Sequence, residues 1–188
     1  MIIEQIKNEI LLLNKKYIDE SEDGYDFWNN HIKYVVEEAM YLAETHNADK
    51  EIVELAALLH DVALMAKVGT KADHHKNGEI IAGELLNKYG YPEYRIEQVQ
   101  GCIFNHRSSS YATNIEELCV ADADILAHFD NISSAFILGA TKFNFTKPEE
   151  FMEWFQKDYE DLSDVTKISF QERYNNIMSV LFGDLWEE

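Results

Sequence analysis

The sequence predicts an all-α fold. Apolar residues recur at helical spacing almost from end to end, strand-like alternation is scarce, and only eight glycines and two prolines punctuate 188 residues. At 46% hydrophobic and 12% aromatic the chain can bury a full core, and its length suits one domain. Acidic side chains number 35 against 16 basic ones, a net charge of −19. Such a field repels phosphate backbones and anionic lipid, which disfavours long nucleic acid and membrane surfaces as partners. Two cysteines, Cys102 and Cys119, argue for a reduced compartment without a disulfide framework. No stretch reaches the ~18 apolar residues of a membrane helix, and no cleavable signal pattern opens the chain, so a cytoplasmic location is expected.

The elements follow in order. Ile3, Ile6, Ile10, Leu13 and Tyr17 stripe a first helix that ends in the acidic segment 19–26. A second helix runs from about Asn30 to His46, with Val35, Ala39 and Leu42 facing inward. Asp49 reads as the N-cap of a third, nearly all apolar from Leu55 to Ala66, and a helix apolar on every side belongs at the centre of a fold. Gly69 and the polar run Thr70–Asn77 read as a loop, and the helix after it stops at Gly90, with Pro92 opening the next. That next helix carries Ile96, Val99, Ile103 and His106 on one stripe, and a serine-rich loop, 107–113, follows it. Asn114 with Glu117 reads as a capping box for a helix through Phe129. Three further helices fill 132–143, 148–161 and 164–182, where Phe151, Trp154, Phe155, Tyr159, Tyr174, Phe182 and Trp186 form the core of a C-terminal layer. One domain over 1–188, of about eight helices, is the expectation.

Asp61 needs explaining, because it lies among apolar neighbours with no Lys or Arg within a turn. An unpaired buried carboxylate costs several kcal/mol, and a divalent cation would supply its partner. His60 offers a nitrogen ligand ~100° away round the same helix. His106 and His31 also fall on inward stripes, and Asp124 sits in the apolar run Val120–Ala127. Histidine, carboxylate and water donors suit Mn, Fe, Co, Ni, Zn or Mg, and no cysteine lies near enough for thiolate zinc.

His31, His60-Asp61 and Asp124 follow the H…HD…D order of the HD-domain metal-dependent phosphohydrolases. Ala57-Leu58-Leu59-His60-Asp61 resembles the family's AALLHD, His74-His75-Lys76-Asn77-Gly78 its second histidine cluster, and Val120-Ala121-Asp122-Ala123-Asp124 its DAD element. The likeness covers a core of about 28–130, leaving 131–188 as the added layer. It implies that His31, His60, Asp61 and Asp124 ligate one divalent ion. Asp122 competes with Asp124 and is assigned a supporting place behind the ligands. Two-metal relatives add two histidines, matched here by His74 (or His75) and His106. One tightly held ion is preferred, because His74 is expected in a polar loop.

Departures bear on the chemistry. Ile125 stands where many relatives have Arg, and no acidic residue follows Asp61 closely, which leaves Asp73 as the nearest general acid beside Asp61 itself. Lys67, Lys71 and Arg107 are the candidate phosphate contacts. The implied activity is metal-assisted hydrolysis of a phosphomonoester or pyrophosphate bond in a nucleotide or other small phosphorylated metabolite. Two rival readings stand beside it: a di-iron HD-domain oxygenase using His31, His60, Asp61, His74, His106 and Asp124, and a non-catalytic nucleotide-binding regulatory module.

Overall fold

A computed structural model describes residues 1–183, Lys142 by its backbone alone. All its regular elements are helical. Helix α1 (Ile2–Glu20) buries Ile6 and Ile10, as its stripe predicts, and also Asn14. The Asn14 amide donates to Asp26 Oδ1 at 2.9 Å and so folds the acidic segment back onto its own helix. A wide π-type turn, Trp28–Ile32, then leads into α2 (Lys33–His46) and carries His31. Such turns recur where a side chain must be aimed at a site. Left-handed Asn47 ends α2.

Helix α3 (Lys50–Leu59) starts as expected, Asp49 accepting hydrogen bonds from the Glu51 and Ile52 amides. The Arg95 guanidinium grips the same carboxylate through two bonds of 3.0 Å, and this holds the carboxyl below the usual range. All five residues from Leu55 to Leu59 are buried. Each of the three leucines, Leu55, Leu58 and Leu59, contributes about 1.5–3 kcal/mol by leaving water.

The predicted helix over 49–66 is not continuous. It breaks at His60 and Asp61, and α4 (Val62–Met65) resumes after an Asp61 backbone at φ −104° and ψ 15°. Helix α5 (His74–Lys88) crosses at this break. A Cβ on Gly78 would stand 3.3 Å from the His60 carbonyl oxygen and 3.2 Å from Ile103 Cγ2, so glycine lets the two segments approach this closely without crowding. The polar loop expected over 70–77 is also shorter than predicted. A 3-10 turn at Lys71–Asp73, closed by the Asp73 amide on the Thr70 carbonyl, starts α5 at His74.

Gly90 (φ +70°) terminates this segment, and Pro92 precedes α6 (Glu93–Asn105). Asn114 caps α7 (Ile115–Asp130), accepting from the Glu117 amide at 2.9 Å. The Glu117 carboxylate reaches one residue further back than a simple capping box, to the Thr113 amide at 2.7 Å. Helices α8 (Ile132–Lys142), α9 (Pro148–Asp161) and α10 (Asp164–Phe182) follow.

Helix α2 lies along α7, α5 along α6, and α3 touches α2, α6 and α7, in one continuous hydrophobic cluster. The C-terminal layer joins it through Phe129, whose ring meets Phe155 and Phe170 at 5.1 Å each. Phe151, Phe155, Tyr174 and Phe182 are buried there as predicted, whereas Trp154 and Tyr159 are only partly so. Trp186 lies outside the described residues. No described helix is long and apolar enough to cross a membrane.

Candidate metal centre

Six side chains from five segments converge beside the α3–α4 break. His31 arrives on the π-type turn, His60 and Asp61 on the break, His74 on the first turn of α5, His106 at the end of α6, and Asp124 in the middle of α7. Their donor atoms form two groups, His31 with His60 and Asp124, and Asp61 with His74 and His106, each within a mutual 4.8 Å. Asp61 lies between the groups. Its Oδ2 is 3.6 Å from His60 Nε2 and 3.9 Å from His31 Nε2, while its Oδ1 is 3.4 Å from His74 Nε2.

The protons on these rings are accountable. His60 Nδ1 donates to the Ala57 carbonyl at 2.8 Å, His74 Nδ1 to Lys71 at 2.7 Å, and His106 Nδ1 to Ile103 at 2.6 Å. A carbonyl only accepts, so the neutral rings carry their proton on Nδ1 and present a lone pair at Nε2. Yet His74 Nε2 and His106 Nε2 are 2.9 Å apart, and His31 Nε2 and His60 Nε2 are 3.1 Å apart. Burial pushes His106 down to about 4, so that ring offers a lone pair at Nε2. A cation fits both gaps. Two nitrogens about 2.1 Å from one ion, at right angles, stand about 3.0 Å apart.

The carboxylates agree with that arrangement. Burial alone would raise Asp124, but the His31 contact at 2.9 Å and the surrounding imidazoles outweigh it and hold the carboxyl well below its usual range. Asp61 is likewise lowered against its burial by His60, His31 and His74.

Asp124, not Asp122, joins the cluster. Asp122 sits ~200° round α7 from it, turned away from the histidines. It accepts hydrogen bonds from the Ser109 hydroxyl, the Ser163 amide at 2.9 Å and hydroxyl at 2.5 Å, and the Thr166 hydroxyl at 2.6 Å. Its carboxylate therefore ties the start of α10 and the Ser109–Tyr111 turn to α7.

A cavity of about 360 Å³ opens over the centre, with His31, Asp61, His74 and Asp124 on its polar side. Of the three candidate cations only Lys71 lines it. Lys67 is turned to the Glu20 carbonyl at 3.1 Å and lies over the Tyr17 ring. Arg107 donates to the Ala72 carbonyl and lines a separate surface pocket with His75. Asp73 is exposed and engaged by Thr70 and Lys76, away from the cavity lining. His74 rather than His75 thus joins the centre, because the first turn of α5 points the two rings to different sides.

His128 belongs to none of the sequence motifs, yet it stands beside the centre. It lines the cavity, stacks on His31 at 5.5 Å, and donates from Nδ1 to Asp158 at 2.8 Å. Burial alone would lower this imidazole, but Asp158 raises it above the ordinary value. The signal was present in the spacing, since His128 is four residues past Asp124 and shares its helix face.

Residues 29–128 match the family model for the HD domain. An HD-superfamily hydrolase from Bacillus thuringiensis superposes with a TM-score of 0.69 at 22% identity, over 100% of this chain and 98% of its own. YpgQ of Bacillus subtilis gives 0.68 at 22% identity, over 99% of this chain and 94% of its own. The complex of YpgQ with ADP gives 0.59 at 22% identity, over 93% and 98%. No functionally curated protein matches the chain in sequence.

Proposed function

Because this chain belongs to the HD-domain family, we propose that it is a metal-dependent phosphohydrolase, cleaving a phosphate ester or anhydride of a nucleotide or other small phosphorylated metabolite. The observation that carries the reading is the His74–His106 pair, whose Nε2 atoms face each other at 2.9 Å while both Nδ1 atoms are turned to backbone carbonyls. His31, His60 and Asp124 would hold one divalent ion and Asp61, His74 and His106 a second, with Asp61 reaching both. The preference for a single ion drawn from the sequence is set aside, since His74 is buried on a helix rather than loose in a loop. Bound there, the ions would make water more acidic, polarise the phosphoryl oxygen and offset its repulsion from so acidic a chain.

The protein's own groups do the rest. Backbone carbonyls of residues 57, 71 and 103 orient three of the imidazoles, which lowers the reorganisation needed to bind. Lys71 brings a cation to the cavity wall. His128, its Nδ1 held by Asp158, has Nε2 free to hold a proton for a phosphoryl or leaving oxygen, the role the sequence offered to Asp73. The ADP complex of the similarly folded YpgQ supports a nucleotide as ligand.

Phosphate release from nucleotides and sugar phosphates, with each candidate metal and with EDTA, tests the reading. Chelator-sensitive release independent of oxygen supports it. The six-donor set equally suits two irons, so turnover that needs iron and dioxygen would move the assignment to the oxygenase. Nucleotide binding without turnover under any metal would make the protein a regulatory module.

A further inference from the structure

We infer that Trp154 is the specificity-determining residue of this cavity, selecting substrates that carry a heteroaromatic base over sugar phosphates. The inference rests on the phosphohydrolase reading and deepens it by naming the substrate class.

The family model ends at residue 128, and the polar side of the cavity falls within it. The aromatic walls of Tyr, Phe and Trp come from outside. Tyr17, Tyr25 and Phe27 precede the matched stretch, and Phe143 and Trp154 follow it. These rings are braced rather than loose. Phe27 holds Tyr17 and Tyr25 edge-on at 5.0 and 4.9 Å, and the Tyr25 hydroxyl meets Ser134 Oγ at 3.2 Å on α8. Trp154 meets Phe143 edge-on at 5.3 Å and stacks on Phe155 at 5.6 Å.

Trp154 also borders the chemistry. Its ring lies 5.1 Å from His128, which stacks in turn on His31. A substrate with its phosphate at the histidine cluster would therefore extend past His128 along the indole. Walls of this kind suit a base, whose π-face needs no hydrogen-bond partner. A sugar in the same place would leave hydroxyls unpaired against rings. Trp154 is the tryptophan at this cavity, so it offers the largest π-surface there.

Adenosine 5′-phosphate and ribose 5-phosphate differ by the base alone, and comparing them isolates its contribution. Wild type, Trp154→Leu and Trp154→Phe are assayed for KM and kcat on both, with dissociation constants by calorimetry and folding checked by circular dichroism. Stacking on an aromatic side chain is worth ~1–3 kcal/mol, so Trp154→Leu should weaken the nucleotide about 5- to 150-fold. Ribose 5-phosphate should be unaffected, and Trp154→Phe should restore part of the loss. Equal weakening of both compounds, or a wild type with no preference for the base, overturns the inference. Should neither compound be hydrolysed, the monoester form of the phosphohydrolase reading fails separately, and the calorimetric comparison still decides base selection by the same criteria.

Discussion

His74 Nε2 and His106 Nε2 stand 2.9 Å apart although each ring has already given its Nδ1 proton to a backbone carbonyl. Two nitrogens so placed suit a shared cation, and burial keeps His106 from becoming that cation itself. Metal occupancy and fold stability are therefore coupled. Chelator should lower Tm, and a divalent ion at 100 times its Kd should restore about 2.7 kcal/mol per site. Asp61→Ala should remain helical and lose most of that response. A wild-type Tm indifferent to both chelator and metal would contradict the coupling.

Asp122 should behave as a structural carboxylate. Asp122→Ala strands the hydroxyls of Ser109, Ser163 and Thr166 in a buried setting. A loss of about 2–4 kcal/mol in chemical denaturation is expected, since bonds to a charged group contribute more than neutral ones. Metal content per folded chain should be unchanged. A fall in metal content without a fall in stability would return Asp122 to the centre.

These two aspartates mark how far the sequence was legible. Helical periodicity, the Asp49 and Asn114 caps and the Gly90 stop all fixed elements that formed where expected, because each rests on local chemistry. The H…HD…D order likewise picked out four of the six converging donors. What failed was whatever depended on partners far along the chain. The break at His60–Asp61 is tied to the crossing of α5 at Gly78, and the turn of Asp122 away from the histidines to Ser163 and Thr166 some forty residues on. Arg107 and Asp73 likewise lie off the cavity lining, Arg107 engaged by Ala72 and Asp73 by Thr70 and Lys76.

His128 should act on the reaction and not on metal binding. His128→Gln keeps a polar side chain but cannot hold the proton, so kcat should fall about 10²–10⁴-fold, as for loss of a general acid. Asp158→Asn should give a smaller loss, because the ring remains but its orienting partner is weakened. Metal content equal to wild type in both variants, measured beside kcat, is required by this assignment.

Glu38 sets a pH dependence remote from the centre. Burial first, then its hydrogen bond and proximity to Asp130, push its carboxyl up to about 7, with Arg173 opposing. The folded protein thus holds this proton more tightly than the unfolded chain, whose value is 4.5. Stability should fall as pH rises from about 4.5 to 7 and stay lower above that range. Glu38→Gln should match wild type near pH 4 and exceed it at pH 8 by on the order of 1 kcal/mol. Urea denaturation at the two pH values reads the difference directly, and equal stabilities at pH 8 would refute it.

Metal stoichiometry tests the central claim most directly. Protein purified without chelator, then equilibrated with a divalent metal and freed of excess, is measured by elemental analysis as wild type and as His106→Ala. Two ions per chain falling to one, with phosphate release nearly abolished, is the predicted result, because His106 serves only the group it shares with Asp61 and His74. Metal-free wild type that still releases phosphate, or a stoichiometry unchanged by His106→Ala, would contradict the two-ion centre.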